Sequence, residues 1–462
     1  MNKIDDIRAF KNERIHFIGI GGCSMSGLAQ ILDNIGYNVS GSDAKESSFT
    51  EVLRKKNINV HIGHDEKLVD GAGLVVRTAA IKPVNPEYKR AVELGIPVVE
   101  RSELLGLISK NYEDVVCISG CHGKTTITSM LALIVHDSHI DPTVHVGGMV
   151  DFLSGGVRLG NSDVFITEAC EYVRSFLTLN PKYILVNNID DDHLDYYKDM
   201  ADIYSAFRAF VEMLPENGKL FACTDDPQTL TLSEFSKAPM VTYGVHNEAE
   251  YMAKNITYND TGCVSFDMYK GDEKLAHFDL KVPGEHNAAN ALAASVVAYE
   301  SFGIAPEDSA KALEDYNLAG RRFEFFGEKN GVKFFHDYAH HPTEIKACLE
   351  GAKRYPHKKI FALFQCNSFT RAKTLKDKYG LAFGGIDYVM VPDLYWGRDA
   401  FTDEIHAKDL VNAINSNTNN AYYLPTFEDI KKFLWERAED GDIVVTLGSG
   451  DVYKQEKILL ED

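Results

Sequence analysis

Short β-branched apolar runs alternate along this chain with stretches whose apolar side chains recur at helical spacing. RIHFIGI (14–20) is such a run and ends in glycines; SMSGLAQILDNIG (24–36) follows with the period of a helix. YNVSGSD (37–43), GLVVRTAA (73–80) and IPVVE (96–100) supply further strands. The pattern restarts at DVVCISG (114–120), again strand into glycine turn into helix, and DVFITEA (163–169), YILVNNI (183–189) and KLFACT (219–224) continue it. A third section follows NLAGRRFEFFG (317–327), with strands at KIFALFQ (359–365), DYVMVPD (387–393) and DIVVTLGSGD (442–451). NAINSNTNNA (412–421) reads as a polar loop. Strand-helix alternation predicts parallel sheets, so three starts predict three α/β domains with boundaries near residues 110 and 319. Nucleotides bind such sheets at the carboxyl ends of their strands.

A length of 462 residues is too great for one core and agrees with several domains. With 45% hydrophobic and 25% charged residues, the chain has a globular balance. No apolar run approaches the roughly 20 residues that cross a bilayer. The start, MNKIDDIRAFKNER, lacks a signal-peptide core, so a cytoplasmic protein with no membrane partner is expected. A formal charge of −20 argues against a broad nucleic-acid surface. Any phosphate must then be held by local backbone amides and a few placed cations. Eight cysteines without a CxxC pair read as reduced thiols.

The strongest chemical signal is SGCHGKTTITSM (119–130), after an apolar strand and at the start of a helix. Gly120 and Gly123 let the loop wind tightly and aim N–H groups at phosphate oxygens. The helix start favours an anion, Lys124 supplies a cation for β- and γ-phosphates, and the Thr125 hydroxyl is placed for Mg²⁺. Glu168 closes the strand DVFITEA and His193 lies just after YILVNNI; singly such a histidine reads as an ordinary loop residue, and only Lys124 and Thr125 raise the two to metal candidates. Asn287 and Asn290 share one helix face in VPGEHNAANALAA (282–294), suited to a base or phosphate or else to capping. Arg321 and Arg322 stand at the second junction, where an arginine can swing toward a nucleotide. DYAHHPTEI (337–345) sets Asp337, His340 and His341 before a helix. GIGGCSMSG (19–27) departs from the dinucleotide fingerprint at Ser24 and reads as a less specific phosphate loop, with Asp43 placed to meet a ribose.

Together HFIGIGGCSMSG, GCHGKTT, NNIDDDHLDYY, PGEHNAANALAA, GRRFE and DYAHHPTEI resemble the Mur ligase family, in that family's order. The resemblance implies an α/β fold of three domains. A Rossmann-like amino-terminal domain (1–109) would bind the UDP-sugar, a P-loop ATPase-like central domain with a mostly parallel sheet (110–318) would bind ATP, and a Rossmann-like carboxyl-terminal domain (319–462) would bring the amino acid. It implies an ATP-dependent ligase of peptidoglycan precursor synthesis that joins L-alanine to the carboxylate of UDP-N-acetylmuramate through an acyl phosphate, as a monomer or homodimer.

By residue, the resemblance assigns catalysis to Lys124, His193, Arg321 and His341, and metal binding to Thr125, Glu168 and His193. ATP contacts fall to Gly120, Gly123, Lys124, Thr125, Thr126, Asn287, Asn290, Arg321 and Asp337. UDP-sugar contacts fall to Gly19, Gly21, Gly22, Ser24, Asp43 and Thr78, and amino-acid contacts to His341 and Arg371. Arg208 stands where later-step ligases carry a modified lysine, which favours the alanine-adding branch. Two segments depart from the family pattern. EACEYVRSF (168–176) is less acidic than usual, and QCNSFTRAK (365–373) has Asn367 and Ser368 where a His-Arg pair is usual. The alternatives these leave are glycine, serine or a preformed peptide as the amine, or a silent sugar-nucleotide-binding homologue. An NAD-dependent oxidoreductase would give GKTT, Glu168 and His193 no joint purpose.

Overall fold

The computed structural model describes residues 4–153, 155–318, 320–395, 401–450 and 452–461. Its described residues form a mixed α/β fold with three parallel-sheet cores, as the strand-helix alternation predicts. They divide into two compact units: Met1–Ile189 with Tyr204–Glu250 and Ala293–Ser309, and Asp190–Ile203 with Tyr251–Leu292 and Ala310–Asp462.

In the first unit, β1 (Arg14–Ile18), β2 (Asn38–Asp43), β3 (Asn59–Ile62), β4 (Ala72–Arg77) and β5 (Val98–Glu100) form a parallel sheet ordered β3-β2-β1-β4-β5. The same unit holds β6 (Asp114–Ser119), β7 (Thr143–Val150), β8 (Gly155–Arg158), β9 (Val164–Glu168), β10 (Tyr183–Val186), β11 (Lys219–Cys223) and β12 (Met240–Gly244). Their order is β12-β11-β10-β6-β9-β7-β8, parallel except for the β7-β8 hairpin. Val115, Val116, Cys117 and Ile118 are all fully buried, because a central parallel strand is covered on both faces. That is why β6 reads as an unbroken apolar run.

The second unit contains an antiparallel meander, β13 (Tyr251–Tyr258), β14 (Cys263–Lys270) and β15 (Glu273–Pro283). The sequence reading placed no strand there. Ala276, Phe278, Leu280 and Val282 are buried and alternate with exposed neighbours, so β15 is half polar and lacks a continuous run. The third sheet follows, with β16 (Glu324–Lys329), β17 (Val332–Asp337), β18 (Ile360–Phe364), β19 (Tyr388–Val391), β20 (Ala421–Tyr423) and β21 (Ile443–Leu447) ordered β16-β17-β21-β18-β19-β20. Among the described residues, only β16 pairs antiparallel in it.

One expectation is corrected. NAINSNTNNA is not a loop throughout: its first residues end the Ala407–Asn415 helix and its last residue opens β20. Leu410, Val411 and Ile414 line the buried face of that helix, and the asparagines that suggested a loop sit on its other side and beyond its end. Among the described residues, no cysteine is joined in a disulfide. Among the described residues, no helix is long and apolar enough to cross a membrane.

Candidate functional site

The turn after β6 is built around two left-handed glycines. Gly120 has φ 126°, and a Cβ there would stand 3.0 Å from the Asn188 backbone nitrogen, so the close approach of two strand ends demands glycine. Gly123, at φ 85°, caps the Lys124–Asp137 helix without a side-chain bond, leaving the helix start to the backbone. Asn188 Oδ1 accepts from His122 N at 2.8 Å, and Asn187 and Asn188 both donate to the His122 carbonyl at 3.1 Å. Tyr243 in turn donates to Asn187 Oδ1 at 2.8 Å. The loop is therefore fixed from β10 rather than by its own residues.

Lys124 folds back into this turn. Its Nζ donates to the Gly120 and Cys121 carbonyls at 2.5 and 3.0 Å and to both Glu171 oxygens at 3.0 and 2.8 Å. Burial disfavours its charge, but Glu171 outweighs this and raises its pKa above the ordinary lysine value. A cation waits at the turn, held by an internal carboxylate.

Thr125 is the second residue of the helix, and Thr126 beside it is buried. The Gly147-Gly148 stretch of β7 runs past both Thr125 and Glu168. A Cβ at 147 would lie 2.8 Å from Glu168 Oε2, and one at 148 would lie 3.3 Å from Thr125 Cγ2. The Thr125 methyl and the Glu168 carboxylate thus border the same glycine stretch. The hydroxyl of Thr125 and the carboxylate of Glu168 are hard oxygen donors, the chemistry that Mg²⁺ prefers.

In the amino-terminal loop, Gly19 lies against Thr78: a Cβ there would be 3.1 Å from its Cγ2. Gly21 N donates to Asp43 Oδ2 at 2.8 Å, and Lys45 N donates to Oδ1 at 3.2 Å. Asp43 thus braces the loop, a role the sequence reading did not give it. Gly22 is the N-cap of the Cys23–Asn34 helix. Ser24 Oγ lies 2.9 Å from His145 Nε2 and accepts from Arg101 at 3.2 Å. No motif had drawn attention to His145 or Arg101.

The second unit holds the remaining assigned residues. Asn287 donates to the Pro283 carbonyl at 2.7 Å and accepts from Asn290 at 3.2 Å, so the two amides are bonded to each other on one buried helix face. Arg321 is clamped: its guanidinium lies over Tyr338 and Tyr453, 4.7 and 4.1 Å from the ring centroids, and donates to the Gly448 and Gly450 carbonyls. All of these contacts lie within its own unit. Asp337 accepts from Phe323 N and Ala339 N at 2.8 and 2.7 Å. His341 is fully buried at the N-cap of the Pro342–Ala352 helix, with Nδ1 3.5 Å from Asp190 Oδ2 and Nε2 3.6 Å from Asp191 Oδ1.

Arg371 reaches Asp192, with Nη2 3.1 Å from Oδ1, and donates to Asn367 Oδ1 at 3.3 Å. Ser368 caps the Phe369–Thr374 helix by accepting from Arg371 N at 3.1 Å. Asn367 and Ser368, the two residues of the second departure, therefore both carry structural bonds. Burial would raise the Asp192 pKa, but His193, Arg371, His340 and His341 outweigh it and hold the carboxyl well below the usual range. A small hollow lined by His193, Asp195, Thr370 and Arg371 opens beside this pair.

Two buried imidazoles set an acid limit. Burial, aided by Arg101, pushes His145 down to about 3; burial, with Arg371, pushes His340 down to about 4. Unfolded histidines titrate near 6.5, so below that pH the unfolded chain takes up protons the folded chain refuses. Stability is therefore complete above about pH 6.5 and is lost as pH falls toward the folded values. At roughly 1.4 kcal/mol per pH unit, each histidine removes about 2 kcal/mol by pH 5. Thermal melts should show a lower midpoint at pH 5 than at pH 7.5, and His340→Asn should shrink the difference; equal midpoints would refute both assignments.

Sequence reasoning missed Glu171, Asn187, Asn188 and His145. Glu171 lies three residues beyond Glu168, and both asparagines sit in a stretch already marked for its acids. Nothing in their spacing distinguishes a loop brace from a solvated turn.

Residues 14–113, 118–298 and 321–450 match, respectively, the families described as Mur ligase family, catalytic domain; Mur ligase middle domain; and Mur ligase, glutamate ligase domain. A UDP-N-acetylmuramate--L-alanine ligase of Acetivibrio thermocellus is 44% identical, covering 100% of this chain and 98% of that protein. One from Caldanaerobacter subterraneus subsp. tengcongensis is 43% identical, with 99% of each covered. Among solved structures, a UDP-N-acetylmuramate-alanine ligase of Thermotoga maritima superposes with TM-score 0.79 at 26% identity, covering 97% of this chain and 98% of that one. A murein peptide ligase of Psychrobacter arcticus gives TM-score 0.72 at 25% identity over 97% and 98%.

Proposed function

This chain belongs to the Mur ligase family, and from that membership we propose that it joins L-alanine to UDP-N-acetylmuramate with cleavage of ATP to ADP and phosphate, in the cytoplasm, for peptidoglycan precursor synthesis. The observation that carries this reading is similarity running the whole length of relatives with that activity in their names. We assign the UDP-sugar to residues 1–109, ATP to 110–318 and the amino acid to 319–462.

The chemistry follows from the weakness of a carboxylate as an electrophile, because its oxygen is a poor leaving group. Transfer of the γ-phosphoryl group to that oxygen gives an acyl phosphate and ADP. The alanine amine then attacks the carbonyl carbon and sheds a proton. The tetrahedral intermediate expels phosphate as the C–O bond breaks, which leaves an amide. The Gly120–Thr125 turn offers N–H groups and the Lys124 charge to the phosphates. Thr125 and Glu168 are the oxygen ligands we assign to Mg²⁺, with His193 the nitrogen ligand added by the resemblance. Bound there, Mg²⁺ would offset phosphate charge and polarise the γ-phosphoryl group. Gly19, Gly21, Gly22 and the Asp43 brace are assigned to the UDP diphosphate, and His341 to the amine side.

A panel of amines tests the proposal. Full-length protein with UDP-N-acetylmuramate, ATP and Mg²⁺ should release phosphate fastest with L-alanine, ahead of glycine, L-serine and a stem tripeptide. Release with none of them would end the ligase reading, and preference for another amine would reassign the substrate.

A further inference from the structure

His193 adopts φ 57°, a left-handed conformation that a side chain with a Cβ rarely takes. Its neighbours show what holds it there. His193 N donates to Asp192 Oδ1 at 2.7 Å, and the His193 carbonyl accepts from Tyr196 N and Tyr197 N at 2.9 Å. The same Asp192 oxygen meets the Arg371 guanidinium at 3.1 Å, with the two side chains 5% and 8% exposed. Three successive carboxylates are gripped by side chains from the carboxyl-terminal part of this unit: Asp190 by Thr343 at 2.6 Å, Asp191 by Lys378 at 2.5 Å, and Asp192 by Arg371. Lys378 is half exposed, so water competes with its grip, and only the Arg371 contact is shielded.

The geometry points to Arg371 as a positioning residue for His193: through Asp192 it holds the 190–193 turn in the form that presents the imidazole to a metal ion. This rests on the reading of His193 as a metal ligand. It departs from the expectation that Arg371 clamps the carboxylate of the amino acid, since its guanidinium is already committed to Asp192 and Asn367. Groups that orient a metal ligand typically change metal affinity by 10–100-fold when removed.

The test measures Mn²⁺ binding by electron paramagnetic resonance of the free ion. Full-length protein is titrated with the β,γ-imido analogue of ATP present, and the KM for L-alanine is measured in parallel. Arg371→Lys keeps the charge but loses the planar fork, and Asp192→Asn keeps the shape but loses the ion pair. Each is expected to weaken Mn²⁺ binding about tenfold, toward the level of His193→Ala, with a smaller change in the KM for alanine. Unchanged Mn²⁺ affinity in both variants, beside a clear loss in His193→Ala, overturns the inference; so does a lowered melting temperature without a change in Mn²⁺ affinity. A selective rise in the alanine KM restores the clamp. If His193→Ala itself binds Mn²⁺ like the parent, the metal reading fails and the inference falls with it.

Discussion

Lys124→Ala should lower ATP-dependent phosphate release by about 10³-fold or more, the scale on which removal of a cation from a transferring phosphoryl group is felt. The lysine sits inside the Gly120–Thr125 turn, bonded to two of its carbonyls and to Glu171. A triphosphate entering that turn would exchange those oxygens for phosphate oxygens without moving the charge far. The variant has a second effect, because Glu171 is only 1% exposed and would be left as a buried carboxylate without its cation. Removing one member of a buried pair costs about 3–5 kcal/mol. The double variant Lys124→Ala, Glu171→Gln separates the two effects. Its melting temperature should recover toward the parent while turnover stays absent. Calorimetry should find UDP-N-acetylmuramate binding retained in both proteins, since the amino-terminal loop is braced by Asp43 and does not use Lys124. Turnover within tenfold of the parent would remove the phosphate-loop assignment.

Glu87→Leu is expected to destabilise the amino-terminal sheet by roughly 3–5 kcal/mol, the sum of several buried polar groups losing their partner. Glu87 is fully buried, and three groups converge on it. His16 Nε2 lies 2.7 Å from Oε2, His64 Nδ1 lies 2.6 Å from Oε1, and Ser42 Oγ donates to both oxygens at 2.8 Å. Burial opposes its charge, but the bonds from His16, Ser42 and His64 outweigh it and keep the carboxyl below its ordinary pKa. A folded value below the unfolded one means that this contribution is present above about pH 4.3 and disappears as pH falls through the folded value. Glu87→Gln should lose less than Glu87→Leu, because one acceptor survives. Chemical denaturation with fluorescence detection would read the difference, and a change below about 0.5 kcal/mol for Glu87→Leu would show that the cluster is not a structural anchor.

Much of this architecture is legible in the residues, for identifiable reasons. β6, β10 and β18 are buried on both faces, so burial and sequence carry the same unbroken apolar signal. The Gly120, Gly123 and Lys124 turn is legible because its chemistry needs those residue types at that spacing. The β13–β15 meander was not legible, because a one-faced strand mixes polar and apolar positions and looks like a polar segment. The helix ending at Asn415 was hidden in the same way by its asparagines.

The chain by itself determined the alternation of strands and helices, the place of the glycine turn before the Lys124 helix, and membership in a family through six motifs in order, because each depends on neighbours a few residues apart. Only the folded molecule decided that Glu171 holds Lys124, that Asn187 and Asn188 brace His122, that Tyr338 and Tyr453 pin Arg321, and that Arg371 reaches Asp192. These contacts span from 17 to 179 residues of chain, with the Lys124–Glu171 pair at 47. No local periodicity encodes such partnerships; those of Lys124 with Glu171 and of His122 with Asn187 and Asn188 exist because one parallel sheet sets the carboxyl ends of β9, β6 and β10 side by side.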